Sequence, residues 1–189
     1  DLSGVNIEIA SIPISLDASL RRIGGLTEVD GNFRINDCKA EEILTGFISN
    51  IIPETGKIRT DAVISMQGTC KGTIGKGILP DINASLEIPD SRISHKDLDQ
   101  DIGIALSASA STYENNCLNI AVSDLSASTQ GFEFRFNGGA EDLTGEDPLI
   151  NIDGDLSADL HSLASLMPDS DAVKAEGKVS ANLKGSIKS

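Results

Sequence analysis

Aromatic residues and positive charges are scarce in this sequence of 189 residues, and the shortage of positive charge narrows the possible binding partners. There is no Trp, one Tyr and five Phe. Lys and Arg total 15 against 29 Asp and Glu, so the formal net charge is −14. Proteins that bind phosphate backbones or anionic surfaces through charge carry the opposite excess. We therefore expect no nucleic-acid partner.

Cysteine and histidine are also rare, and their spacing predicts no metal or catalytic centre. Cys38, Cys70 and Cys117 lack the close pairs that structural zinc sites use. They are interpreted as small buried apolar side chains, with a disulfide as the alternative. His95 lies in a polar segment and His161 in a predicted helix, neither at metal-ligand spacing. We predict no enzymatic activity, no catalytic residue, no metal and no cofactor.

Two short segments resemble ligand-binding loops only superficially. CKGTIGKG, which begins at Cys70, lacks the G-x-x-x-x-G-K-[ST] spacing of a phosphate-binding loop, and we predict a loop or bulge between strands. HKDLDQD, which begins at His95, lacks the Gly and the final Glu of an EF-hand calcium loop. We predict a solvated turn there.

Long apolar runs are absent as well. No stretch approaches the roughly 18 consecutive apolar residues that cross a bilayer, and no secretory leader precedes Asp1. The sequence also does not start with Met, and the chain is therefore expected to be a processed or excised piece. Its composition, 39% hydrophobic and 23% charged, is typical of folded proteins. A single β-rich domain over residues 1–189 is expected.

The sequence does contain a pervasive alternation of apolar and polar residues. This period of two predicts β-strands with one apolar face. Turn signals occur at Gly24, Asp30, Pro80, Pro89, Glu114, Asn137 and Asp153. Together they predict a mostly β fold with a long antiparallel meander sheet. The alternating segments are 12–20, 58–66, 82–88, 102–110, 118–122, 132–136 and 173–183.

Two segments instead space their apolar residues by three and four, as a helix face requires. They predict helices near Ala40–Ile52 and Leu160–Met167, each ending before a proline. An acidic turn and an alternating strand follow each proline. The sequence therefore predicts a repeated helix-Pro-strand unit, which is typical of extendable architectures. Two unrelated helical caps on a β-sandwich are the alternative.

The predicted helices are too short to cover the predicted sheet. A helix of about ten residues is about 15 Å long, whereas the strands run about 25–35 Å. One possibility is a closed β-sandwich, whose inner faces bury one another, with a structural or adhesion role at a cell surface. The other is a curved or groove-like sheet whose apolar face contacts an apolar ligand.

The chain resembles the AsmA family and, more loosely, TamB and the wider group of repeating β-groove proteins. The C-terminal run GDLSADLHSLASLMPDSDAVKAEGKVSANLKGSIKS is similar to that family's Leu-rich helix, proline and following strand. A second segment, ILPDINASLEIPDSRISHKDLDQDIGIALSASAS, is similar to its recurrent succession of strand, short polar loop and strand.

The resemblance implies a periplasmic segment of a bacterial envelope protein, tethered to the inner membrane through an anchor absent from this chain. It also implies a non-enzymatic role in outer-membrane biogenesis, with phospholipid or another lipid as the partner. An apolar β-groove would hold or conduct the acyl chains. The candidate groove residues are apolar positions of the alternating segments: Ile82, Leu86, Ile102, Ile104, Leu106, Phe132, Phe134 and Phe136.

Overall fold

The computed structural model describes residues 1–9, 12–46, 58–76, 78, 80–96, 100–113, 117–164 and 176–188. These residues form eleven strands and two short helices. The elements in chain order are β1 (Leu2–Ile9), β2 (Ile12–Ile23), β3 (Leu26–Lys39), α1 (Ala40–Gly46), β4 (Ile58–Thr60), β5 (Val63–Ile74), β6 (Asp81–His95), β7 (Ile102–Tyr113), β8 (Cys117–Thr129), β9 (Phe132–Glu141), β10 (Leu149–Asp159), α2 (Leu160–Ala164) and β11 (Lys178–Lys188).

All eleven strands belong to one antiparallel sheet. Their order across the sheet is β1-β2-β3-β5-β6-β7-β8-β9-β10-β11, and β4 pairs with β6 beside β5. The predicted mostly β fold and antiparallel meander are therefore confirmed. The sheet is open, because β1 and β11 lie at opposite ends of this order and do not pair. The described residues thus form one sheet instead of the two packed sheets of a sandwich.

Only some of the predicted turn signals mark turns. Gly24 and Gly25 have φ of +56° and +88° and connect β2 to β3, since a tight hairpin turn needs positive φ at both positions. Pro80 lies just before β6. The signals at Asp30, Pro89, Asn137 and Asp153 are wrong as turns, because they lie inside β3, β6, β9 and β10.

β-Bulges explain why β6 and β8 extend further than predicted. The register shifts between Ile88 and Ser91 in β6 and between Val122 and Leu125 in β8. At a bulge an extra residue moves the alternation by one position, so a strict period of two stops there although the strand continues. Proline suits such a place because it has no N–H to donate, which explains why Pro89 does not end β6.

Three observed strands, β1, β3 and β10, contain no predicted alternating segment. Each includes a feature that interrupts the alternation or that resembles the end of a strand in the sequence. β1 shifts register between Leu2 and Val5 around Gly4, and β3 does so between Ile35 and Cys38, where Asp37 has φ of +51°. β10 carries the Asp153–Gly154 pair in its interior.

The predicted strand over 58–66 is interrupted in the structure. β4 pairs with the end of β6 and β5 with its beginning, so the two follow one edge of β6 in succession. At the break, the Thr60 hydroxyl donates to the Arg92 carbonyl at 2.7 Å and accepts the Ala62 N–H at 3.0 Å. The Asp61 carboxylate accepts the Arg92 N–H at 2.5 Å. These side chains replace the hydrogen bonds that the interrupted ladder loses.

Both predicted helices begin where expected. α1 spans Ala40–Gly46 and α2 spans Leu160–Ala164. Several predicted features lie outside the described residues: the remainder of each predicted helix, both prolines that were expected to end them, and residues 173–175 of the last predicted strand. β11 begins at Lys178, so the strand prediction is wrong for residues 176 and 177. The repeated helix-Pro-strand unit and the curvature of the sheet therefore stay predictions. No described helix has the length and apolar character that crossing a membrane would need.

Only part of each of the segments CKGTIGKG and HKDLDQD, which resemble ligand-binding loops, lies between strands. The first five residues of CKGTIGKG belong to β5, so the loop prediction is wrong for them. Beyond β5, Gly75 and Ile78 form an isolated antiparallel bridge with two hydrogen bonds of 3.0 and 3.2 Å. Of the second segment, His95 belongs to β6 and residues 97–99 lie outside the described residues.

The protein buries little apolar surface for its size. Among the described residues, the buried apolar side chains are Cys38, Pro80 and five alanines. The accessible surface is 12483 Å². A folded monomer of this mass is expected to expose about 8,600 Å². Much of the apolar surface that a globular domain would bury is thus accessible.

Candidate functional site

The registers of the ten successive strands place almost all their apolar residues on one face of the sheet. Directly opposed residues in antiparallel strands point to the same face, so each directly opposed pair extends a row across the sheet. We call the surface formed by the four rows given below the apolar face.

The first row crosses all ten strands without a break. Its residues are apolar throughout, and each is paired directly with the next: Val5, Leu16, Phe33, Gly68, Ala84, Ala110, Ile120, Ala140, Ile150 and Ile187. At about 4.8 Å per strand, the row is about 43 Å long.

Three further rows continue the apolar face along the strands. The second row is Ile35, Met66, Leu86, Ala108, Val122, Gly138, Ile152 and Gly185. The third is Ile88, Leu106, Leu125, Phe136, Gly154 and Leu183. The fourth is Ser91, Ile104, Ala127, Phe134, Leu156 and Ala181. No charged residue occurs in any of the four rows.

The opposite face of the sheet, which we call the polar face, carries nearly all the charged residues of the strands; Arg22, near the end of β2, lies on the other face outside the four rows. Ion pairs join Lys71 to Asp30 at 3.3 Å and Lys184 to Asp153 at 2.8 Å across neighbouring strands. The hydrogen bond and the negative charge of Asp153 raise the pKa of Lys184. Because these pairs are largely exposed, they contribute little to stability but keep this face hydrated.

All eight predicted groove residues lie on the same face of the sheet. Five are members of the rows, namely Leu86, Ile104, Leu106, Phe134 and Phe136. The other three are paired with apolar residues along the same strands: Ile82 with Cys70, Ile102 with Ile93, and Phe132 with Ala158. None of the eight is buried, and Ile82 is 37% exposed. The structure thus assembles them on one partly exposed surface.

Glycines on the apolar face are the participants that sequence reasoning missed. A Cβ at Gly68 would lie 2.7 Å from Cζ of Phe33, its neighbour in the first row. A Cβ at Gly138 would lie 2.7 Å from Cζ of Phe136. In each case the ring occupies the space that a side chain at the glycine would need. The signal available in the sequence was a glycine at an apolar phase of the alternation.

The cysteines do not form a reactive cluster. Cys38 is buried, and burial together with the charge of Glu42 raises the pKa of its thiol. Cys70 and Cys117 are half-buried, and burial raises the pKa of Cys70. Thiols with raised pKa values are poor nucleophiles at neutral pH. Over the described ranges, no three His, Cys, Asp or Glu side chains come together as a metal site would require.

The chemistry that this surface supports is apolar contact. Half-buried Leu, Ile and Phe side chains stabilise any apolar group placed on them by about 25 cal/mol per Å² removed from water. Since the rows contain no charged group, the surface offers no specific recognition of a charged head group. A ligand would be selected by its apolar part.

Comparison with protein-family models, curated proteins and solved structures finds no match to this chain.

Proposed function

We propose that this chain is a non-enzymatic, AsmA-like periplasmic segment that holds phospholipid acyl chains on its apolar face and contributes to outer-membrane biogenesis. The observation that carries the proposal is the unbroken apolar row across ten strands on a half-exposed surface. The resemblance to the AsmA family supports the location and the biological role. The competing proposal is a structural or adhesive role at a cell surface.

Apolar contact is a sufficient source of affinity for acyl chains. Each methylene group transferred from water to an apolar surface contributes about 0.8 kcal/mol. An acyl chain laid across several strands follows one row and contacts an apolar residue on each strand without meeting a charge. The charged head group would then remain in water beside the sheet, where it costs no desolvation.

The first test is to extract the purified protein with organic solvent and identify co-purified lipid by mass spectrometry. We expect phospholipid in a defined ratio to protein. Protein purified from a cell envelope without bound lipid, and with no uptake of lipid from vesicles, would favour the structural role.

The substitution Phe134→Glu tests whether the apolar face binds the lipid. Phe134 is half-buried between Ala127 and Leu156, so the new carboxylate can stay hydrated in the absence of lipid. We expect a loss of about 2 kcal/mol from a total stability of about 5–15 kcal/mol, which leaves the protein folded. Lipid capture, measured by photo-crosslinking, should fall about tenfold or more, because a charge facing acyl chains is costly.

Thr69→Glu is the matched control for this substitution. Thr69 is exposed on the polar face, opposite Asn32 and Asn83, and the change adds the same charge. It should leave both the thermal melt and the lipid capture unchanged. Unfolding of Phe134→Glu at room temperature, with no lipid on the parent protein, would contradict the proposal.

A further inference from the structure

Two neighbouring turns at one end of the sheet carry exposed aliphatic side chains. Ile23 and Leu26 flank the turn between β2 and β3. Ile74 ends β5, and Ile78 lies in the turn that follows it. All four side chains are between 40% and 47% exposed. We define the hairpin-tip patch as these four residues together with the three cations beside them, Arg21, Arg22 and Lys76.

The aliphatic side chains of the two turns form one cluster. Thr27, which follows Leu26, is paired with Ile74 on the neighbouring strand, so both turns lie at the same end of the sheet. A Cβ at Gly75 would lie 2.5 Å from Cδ2 of Leu26 and 3.7 Å from Cδ1 of Ile78. The side chains of Leu26 and Ile78 therefore converge on this glycine, and the two turns present one continuous apolar surface.

The division into an apolar and a polar face ends at this patch. Ile23 and Leu26 are paired with each other and lie on the polar side of the sheet. Arg22 lies opposite Thr27 on the apolar side, and Ile74 lies on that side as well. Aliphatic side chains thus project from both sides of the turns. A ligand on the apolar face would cover only one side, whereas a medium that surrounds the ends of the hairpins would cover both.

The charges of the patch are mainly positive, although the net charge of the chain is −14. Arg21, Arg22 and Lys76 are all exposed. Residues 20–29 and 73–80 contain one carboxylate, that of Glu28, which lies directly opposite Arg21. Acidic residues further away than a Debye length of about 8 Å are largely screened from a surface that touches the patch. Arg22 and Lys76 therefore favour an anionic partner locally.

We infer that the hairpin-tip patch docks on the surface of an anionic phospholipid bilayer. The four aliphatic side chains enter the head-group boundary, and the cations contact lipid phosphates. Interfacial binding strengthens with the apolar area buried and with the attraction of Lys and Arg to anionic lipids, and the patch supplies both. The inference goes beyond the proposed function, because docking through the turns requires no lipid on the apolar face.

Flotation with vesicles tests the inference. We expect the protein to float with vesicles of phosphatidylcholine that contain one quarter phosphatidylglycerol. Flotation should fall about tenfold with pure phosphatidylcholine or in concentrated NaCl, since both remove the electrostatic attraction.

Lys76→Glu should weaken binding to the anionic vesicles about tenfold, because it reverses one charge at the lipid surface. The matched control is Arg34→Glu, which makes the same charge change on the polar face of β3, opposite Ser15 and Gln67 and away from the turns. It should float like the parent protein. Both positions are exposed, so both variants should melt near the parent.

An introduced tryptophan tests the depth of the contact, because the chain contains no Trp of its own. The fluorescence of Ile78→Trp should shift to shorter wavelength when the anionic vesicles are added, and lipids with brominated acyl chains should quench it. Thr69→Trp, which is exposed on the polar face away from the turns, should show neither change.

Three results would overturn the inference. One is a parent protein that does not float with the anionic vesicles. Another is an equal loss of flotation in Lys76→Glu and Arg34→Glu, which would show that the turns have no special role. The third is flotation lost in Phe134→Glu but kept in Lys76→Glu, which would place the contact on the apolar face. Flotation through the turns by a protein without co-purified lipid would leave the inference standing and contradict only the proposed function.

Discussion

At the scale of single residues, the apolar face depends on the size of side chains as well as on their polarity. The first row places a ring at Phe33 beside Gly68, and the two small residues Ala84 and Ala110 follow on the next strands. A larger side chain at position 68 would displace the ring and approach the backbone. This glycine is therefore required for close packing, although it lies in the interior of a strand, where glycine is otherwise unfavourable.

Gly68→Ala should reduce the free energy of unfolding by about 1–3 kcal/mol, the usual cost of overpacking. The added Cβ would lie 2.7 Å from Cζ of Phe33 and 2.8 Å from the carbonyl oxygen of Asn83. Urea denaturation of both proteins measures the change. Gly185→Ala is the control, because Gly185 also lies on the apolar face but has no atom within 4 Å of the added Cβ. Equal costs at the two positions would show that packing is not the cause.

At the scale of elements, α2 is joined to the sheet through its first residues. The Asp159 carboxylate accepts the Ser162 N–H at 3.1 Å, as an N-cap does. The Asp159 N–H donates to the Gly131 carbonyl at 2.6 Å, and the Leu160 N–H donates to the Gly177 carbonyl at 2.9 Å. The end of β10, the β8–β9 turn and the start of β11 thus meet at this helix.

The cap predicts a pH dependence of stability. Hydrogen bonds from the Ser162 and His161 N–H groups and the charge of Lys178 lower the pKa of Asp159 below its ordinary value of 3.8. A lowered pKa in the folded state contributes stability above pH 3.8 that is lost as the pH falls through the folded value. Asp159→Ala should therefore lower the melting temperature at pH 7, and the difference from the parent should shrink below pH 3.8.

Asp159→Asn separates the cap from the charge. Asn caps helices about as well as Asp but does not titrate in this range. It should melt near the parent at pH 7, and its difference from Asp159→Ala should persist in acid. A gap between parent and Asp159→Ala that stays constant from neutral to acidic pH would contradict the cap assignment.

At the scale of the whole molecule, the open sheet predicts a weak response to denaturant. The denaturant m-value scales with the surface exposed on unfolding. The accessible surface of 12483 Å² exceeds the size expectation, so the protein exposes about a fifth less on unfolding than a globular domain of its mass. We expect an m-value about a fifth below that of globular proteins of this length. Monomeric protein should be measured, and an m-value at the size expectation would contradict the open apolar face.

Part of the fold could be predicted because alternation acts locally. In β2, β7 and β9 the apolar phase runs unbroken over many residues, and all three strands form with that phase on the apolar face. In β6 and β8 the prediction stopped at a bulge, because Pro89 and the step from Val122 to Leu125 look like the end of a strand. Only the partner strand, which continues past both positions, shows that the strand does not end there.

The sequence predicted which residues belong to the candidate site but not how they are arranged across the strands. Phe134 and Ile104 share an apolar phase in their own strands, and this follows from period two alone. Their position in one row, with Ala127 between them, depends on two hydrogen-bond registers that bulges have shifted.

The sequence by itself determined that the strands have one apolar and one polar side, because the side-chain direction of a strand follows from local backbone geometry. The tertiary structure decided that these sides join into one open surface. Registers, bulges and the absence of pairing between β1 and β11 arise from contacts between residues far apart in the chain, and no local pattern specifies them.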